Sequence, residues 1–184
     1  MMPQDPIVSP NIRLRHPEHF EIGIGSIIDD FCYFSTRVSV GKYCHIASCC
    51  TIGGGIKRVF RLGDFSSLSS GVRVWCTSDD FVTDIVTIFP PELGQIKEHL
   101  IEGDVQLERL TAVGANSVIM PGNDIPEGTV IGALSYVPPE FDFSPWTVYA
   151  GVPIKPVKPR DRDSVMRQLE VFEEKIAGHG QGGL

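Results

Sequence analysis

Stepping by six from Ile22, the chain places a large apolar residue at Ile28, Phe34, Val40, Ile46 and Ile52. The segment "GGGIKRVFR" then adds four residues, and the pattern resumes at Leu62, Leu68 and Val74. After a longer interruption it returns at Leu107, Val113, Ile119, Ile125, Ile131 and Val137. A second column occupies the fifth place of each hexad: Ser26, Cys32, Val38, Cys44 and Cys50, then Ser66, Val72 and Ser78, then Thr111, Ser117, Asn123, Thr129 and Ser135. These residues are small or β-branched. An α-helix has a period of 3.6 and a hairpin strand a period of 2, so neither produces this pattern. A short flat strand that turns a corner every six residues does. The large residue fills the middle of a triangular core and the small one fits the bend. Three hexads make a coil, and coils stack by parallel pairing about 4.8 Å apart.

Around this repeat the pattern predicts five segments. Residues 1–20 read as an irregular lead-in, and 21–140 as the repeat with an inserted loop at about 79–104. A proline-rich closing segment follows at 141–160. Val165, Leu169, Phe172 and Ile176 then recur at helical spacing, predicting a helix over 161–177 with Asp161 or Asp163 as N-cap. The tail, 178–184, has no packing signal and reads as disordered.

Composition narrows the function classes. In 184 residues, 42% are hydrophobic, enough for one globular core. A formal charge of −7 argues against a general polyanion-binding surface and thus against nucleic acid. No apolar run approaches a membrane span, and the N-terminus lacks the apolar core of a signal peptide. Five cysteines, without the spacing of a secreted scaffold, predict a reducing, cytoplasmic setting. The cluster "CHIASCC" is split by the period of six: Cys44 and Cys50 point inward as Cys32 does, Cys49 lies near the surface with its role open, and His45 points outward at a corner.

The pattern [LIV]-G-x-x-[STAV]-x, carried from about Glu21 to Arg160, resembles the hexapeptide-repeat acyltransferases, in particular the sugar and polysaccharide O-acetyltransferases of the maltose and galactoside type. The resemblance implies a left-handed parallel β-helix, acetyl-CoA as co-substrate, no metal, a homotrimer with active sites between subunits, and a sugar or nucleotide-sugar acceptor. The segment "VYAGVPIKPVKPR" resembles the family's closing AGxPAKxIKxR motif. By that resemblance Ala115 and Ala133 line the pantetheine arm, and Lys155, Lys158 and Arg160 approach the CoA phosphates. The chain departs from the family at Pro138-Pro139, where Thr-Lys often stands, which puts one CoA contact in doubt.

The acceptor side departs further. Where the sugar O-acetyltransferases carry a catalytic Gly-His at the start of a long loop, this chain reads "VWCTSDDF". Asp79 and Asp80 stand there instead, yet an exposed carboxylate with a pKa near ~4 is a poor base at neutral pH. The catalytic candidates are therefore His45, Asp79 and Asp80, with His45 of one subunit facing the aspartates of the next, and His99 on the loop as rival base. The expected activity is acetyl transfer to a sugar hydroxyl in polysaccharide synthesis. Two alternatives stand beside it: N-acetylation of a nucleotide-linked amino sugar, and a non-catalytic β-helix. The first is weakened by the short segment before the repeat, since such enzymes often carry an N-terminal nucleotide-binding domain. A zinc carbonic anhydrase of this fold needs three converging histidines, and the repeats hold only His45.

Overall fold

In a computed structural model of the protein, which describes residues 5–94 and 96–180, the chain winds into a left-handed parallel β-helix of about seven turns with one C-terminal helix. Three walls enclose the core. The first is the most regular: Ile7–Val8, Ile27–Ile28, His45–Ile46, Ser67–Leu68, Ala112–Val113, Val130–Ile131 and Thr147–Gly151 stack in parallel, and Ile154–Pro159 closes the sheet antiparallel. The second and third walls form one continuous sheet, because Tyr33–Val40 and Thr51–Leu62 run through the corner between them without a break.

All fourteen hexad positions from Ile28 to Val137 are buried, and so is every fifth-place residue except Ser78, where the long loop departs. The fifth place does more than fill the bend. Ser117 Oγ donates to the Gly132 carbonyl of the next coil at 2.9 Å and accepts the Ser135 N–H at 3.2 Å. Ser26 does the same for Gly41 and Cys44. The cysteines substitute for serine in this role: the Cys32, Cys44 and Cys50 thiols donate to Ala47, Gly63 and Ser69 at 3.2–3.3 Å. Burial raises the pKa of Cys44 and pushes Cys76 up to about 12, so these thiols stay protonated and inert.

The fourth place of the hexad is the corner itself. Among the described residues, nine that are not glycine have positive φ, including Tyr43, Cys49, Phe65, Leu134 and Trp146, each three residues after a core position. Cys49 (φ 63°) is thus an exposed corner residue. In the corner column between the third and first walls, the Tyr43 and Phe65 rings stack at 5.5 Å, and Phe172 meets both edge-on. Phe172 belongs to helix α1 (Arg162–Gly180), which lies along this column with Leu169 buried and Val165 and Ile176 half-buried. Asp161 caps it, accepting the Ser164 N–H at 3.0 Å.

Three boundaries differ from expectation. The lead-in is already the first coil, since Ile7–Val8 pairs with Ile27–Ile28 and Arg13–Leu14 with Tyr33–Phe34. A short 3-10 turn at Pro17–His19 then shifts the phase by two residues before Ile22, which hides the coil from a search by six. At the other end, the closing segment supplies a seventh first-wall strand, with Tyr149 buried above Ile131. Finally, α1 continues through Gly180, so 178–180 of the expected tail are helical, while 181–184 lie outside the described residues.

Candidate active site

The repeat is broken at one corner only, that between the second and third walls. In the third coil the stretch from Ile52 to Leu62 takes ten residues instead of six. The extra four bulge out around Gly55–Arg58, leaving Ile56 and Lys57 exposed. Gly54 and Gly55 carry the bulge at φ +158° and +69°, and a side chain at Gly54 would collide with Cys76 of the coil above at 2.6 Å. The Thr36 Oγ1–H is shared between the carbonyls of Gly55 and Arg58, at 2.9 and 2.7 Å.

Directly above, in the fourth coil, the chain leaves the corner at Thr77–Ser78 and returns antiparallel at Ile101–Glu102. This two-strand base sits on the bulge: the Cys76 N–H donates to Gly53 and the Thr77 hydroxyl to Gly54. Arg58 Nη2 bonds Glu102, and Asp104 accepts the Val59 N–H at 3.0 Å. Bulge and loop are therefore one unit, although the sequence separates them by more than twenty residues.

Within the loop each acidic candidate is already engaged. Asp79 Oδ1 accepts from Lys97 Nζ at 2.5 Å. Asp80 accepts the Val82 N–H at 2.8 Å and the Thr83 hydroxyl; that hydroxyl contact holds its carboxyl below the usual carboxylate range. Asp80 is thereby a turn-former, and a weaker base than a free aspartate. His99 is tied to Asp84, which accepts its backbone N–H at 2.8 Å and faces its ring Nδ1 at 3.3 Å. The loop nevertheless carries much exposed apolar surface: Phe81, Val82, Ile85, Ile88 and Leu93 are each more than 60% exposed.

His45 opens the first-wall strand His45–Ile46, facing outward between Ile27 below and Ser67 above, rather than sitting at a corner. Its ring Nε2 lies 2.9 Å from Asp29 Oδ2, one coil down, with both side chains about half exposed. A carboxylate on one ring nitrogen fixes the orientation of the imidazole. Within one chain His45 and the Asp79–Asp80 pair lie on different walls and do not meet. The partner that sequence reading missed, Asp29, could have been found by stacking residues at one-coil spacing: it lies under Ala47, eighteen residues on.

At the C-terminal end, Ala115 and Ala133 follow each other at the corner after the first wall, with the Leu134 N–H donating to Ala115. A side chain at Gly114 would strike the Ala133 backbone at 2.3 Å, so this column must stay small. Lys155 and Lys158 are exposed on the closing hairpin, opposite Ala150 and Val148. Arg160, expected beside them, is used otherwise: its guanidinium donates to the Leu110 and Gly128 carbonyls and lies 5.7 Å from the Trp146 ring, clamping the helix entry to the coils. At the departure from the family motif, the Pro138 carbonyl accepts from Asn123 Nδ2 at 2.9 Å, a bond the main chain of any residue there could make. Among the described residues no cluster of metal-ligating side chains is found, and no helix is long and apolar enough to cross a membrane.

No family model matches the chain. It is 29% identical over 167 residues to the dTDP-4-amino-4,6-dideoxy-D-glucose acyltransferase of Escherichia coli, covering 88% of this chain and 82% of that protein. It is 27% identical over 120 residues to a chloramphenicol acetyltransferase of Agrobacterium fabrum (strain C58 / ATCC 33970), covering 60% of this chain and 56% of that protein. Among solved structures, AntD, an N-acyltransferase from Bacillus cereus, superimposes at 31% identity and a TM-score of 0.80 in its complex with dTDP and 3-hydroxybutyryl-CoA, covering 94% of this chain and 89% of AntD. A variant of AntD bound to dTDP-4-amino-4,6-dideoxyglucose and coenzyme A superimposes with a TM-score of 0.81 at 30% identity, over 92% and 88% of the two chains. The coil plan and these likenesses along nearly the whole length lead to one conclusion: the chain belongs to the hexapeptide-repeat acyltransferases and is itself an acyltransferase.

Proposed function

We propose that the protein transfers an acyl group from acyl-CoA to the amine of a nucleotide-linked amino sugar. The observation that carries this reading is the 30% identity, over 92% of the chain, to an N-acyltransferase holding dTDP-4-amino-4,6-dideoxyglucose and coenzyme A. It displaces the sugar hydroxyl expected from the O-acetyltransferase resemblance in favour of the amine alternative. The short segment before the repeats does not weigh against it, because this chain spans 89% of AntD.

The loop start fits the same acceptor. A hydroxyl must surrender its proton as it attacks, which is the task of the Gly-His found in sugar O-acetyltransferases. A neutral amine attacks through its lone pair and sheds a proton afterwards, so Ser78-Asp79-Asp80 can stand in that place. In the reaction the amine nitrogen bonds the thioester carbon, the C–S bond breaks, and CoA thiol and an amide leave. Backbone N–H groups oppose the developing oxyanion. His45, held by Asp29, accepts the ammonium proton. CoA lies along the Ala115–Ala133 corner, with Lys155 and Lys158 toward its phosphates.

In this reading the active form is a homotrimer, and the site lies between copies. The apolar loop around Phe81 and Ile88 is the surface a neighbouring copy covers. The setting is cytoplasmic, where the five free cysteines stay reduced.

The test is a thiol-release assay with dTDP-4-amino-4,6-dideoxyglucose and either acetyl-CoA or 3-hydroxybutyryl-CoA, paired with the same nucleotide sugar bearing a hydroxyl at C4. CoA release with the amino sugar only is expected. Release with the hydroxy sugar only would restore the O-acyl reading. Replacing His45 by Ala should lower kcat at least tenfold with little change in KM for acyl-CoA; full activity would remove it from the mechanism.

A further inference from the structure

We infer that Arg37 and Arg58, at the corner beneath the loop, seat the diphosphate of the nucleotide sugar. This rests on the substrate class proposed above and assigns the residues that would hold it. The two arginines come from adjacent coils. Arg37 pairs in register with Val59, the residue after Arg58, so both project from the same bulged corner. Each has its Nε shielded from solvent with no hydrogen-bond partner among the described residues. A guanidinium donor left without an acceptor is costly, and the natural partner of its planar fork is a carboxylate or phosphate oxygen.

The acceptors nearby are committed. Arg58 Nη2 is on Glu102, Arg37 Nη2 reaches the Lys57 carbonyl at a long 3.4 Å, and Thr36 occupies the Gly55 and Arg58 carbonyls. Asp104 is taken by the Val59 N–H and by Arg61 at 3.6 Å. The Arg58 side chain is still one-third exposed and that of Arg37 half-buried, so the outer edges of the two guanidinium forks can meet an acceptor from outside the chain.

The surroundings select an anion. Lys57 is exposed at the bulge tip. On the second wall below, Arg13 pairs with Tyr33 and packs over its ring at 5.7 Å, and the Arg15 N–H donates to Phe34. In a chain of net charge −7, five cations therefore gather at one wall and corner of the first three coils, opposed by Glu18 in the turn of the first coil and by Glu102 and Asp104 from the fourth. The position also separates this anion from CoA. Lys155 and Lys158 are on the last coil, about four coils or roughly 20 Å up the stack at ~4.8 Å per coil, with the loop base between.

The experiment is calorimetry on the full chain with dTDP, inorganic pyrophosphate, thymidine and CoA as separate probes, using wild type, Arg37→Met, Arg58→Met and the two Arg→Lys variants. Each Met variant is expected to weaken dTDP and pyrophosphate at least tenfold, and raise KM for the nucleotide sugar in parallel, with CoA affinity unchanged. The Lys variants, which keep the charge and lose the fork, should recover part of the loss. Variants that bind dTDP as wild type does overturn the seat, as does an equal loss for thymidine and CoA. Wild type that acylates the amino sugar while both Met variants keep its KM sinks the seat and leaves the reaction standing. Wild type that binds pyrophosphate through both arginines yet acylates no nucleotide sugar keeps the seat and sinks the substrate assignment.

Discussion

Coils five and six can be set against the corner of coils three and four. In the upper pair every step is eighteen residues: Leu107 to Ile125, Val113 to Ile131, Ile119 to Val137. Each large residue is buried, and Ser117 and Asn123 tie one coil to the next, while the buried Thr129 hydroxyl has no hydrogen-bond partner among the described residues. In the lower pair, Ile52 to Leu62 takes ten residues and Val74 to Leu107 takes thirty-three. The core positions there are as well buried as elsewhere, Ile52, Leu62, Val74 and Leu107 all lying at 2% exposure or less. The extra chain is therefore not a defect in the core. It is expelled at one corner, where it gathers cations, acids and exposed apolar residues on a rigid support. The stack supplies stability through repetition, and the interruption supplies a surface that the repeats alone do not have.

This contrast can be broken from either side. The largest effect on stability belongs to the stack: replacing Phe60, fully buried in the lower coils, by Ala should cost about 3–5 kcal/mol, read as a fall in denaturant midpoint at constant m. Replacing loop residues 80–100 by a short Gly-Ser turn should do the reverse, abolishing acyl transfer while the isolated subunit keeps its cooperative unfolding. A melt that collapses on loop removal would show the loop to be part of the core. Phe172→Ala, which strips one ring from the Tyr43–Phe65 column, should cost about 1–3 kcal/mol in the same denaturation assay.

Smaller effects sharpen the picture. In the native protein one thiol of five, Cys49, should react readily with a thiol reagent near pH 8, and all five after unfolding. Rapid reaction of Cys76, whose pKa burial raises to about 12, would contradict the packing. The loop should also loosen in acid. Asp80 and Asp84 have pKa values lowered in the folded chain, by the Thr83 hydroxyl and the His99 backbone N–H respectively. Their contribution is present above the unfolded carboxylate value near ~4 and fades as pH falls through the lower folded value, so protease sensitivity of the loop should rise below pH ~4 and stay flat from 6 to 9.

The stack was legible in the sequence because one position in six must be large and another small, whatever the coil. The first coil was not, since the turn at Pro17–His19 shifts Ile22 to eight residues after Leu14. The corner residues were missed as a class: Tyr43, Cys49, Phe65 and Trp146 share a backbone conformation, not a side-chain type. At the site, His45 and the loop could be picked out by residue type and length. Asp29 could be found only by stacking residues at one-coil spacing, and the shared corner of Arg37 and Arg58 was hidden by the four-residue bulge that shifts their register. Arg160 matched a motif for phosphate binding, and only the fold reveals that its Nη1 also holds the Leu110 and Gly128 carbonyls.

The central claim is that the acceptor atom is nitrogen, and the bond in the product tests it most directly. Incubated with dTDP-4-amino-4,6-dideoxyglucose and acyl-CoA, the protein should yield one acyl group per CoA released. The NMR spectrum should show that group as an amide, resistant to hydroxylamine. A hydroxylamine-labile ester, or CoA release unaccompanied by acylated sugar, would contradict it.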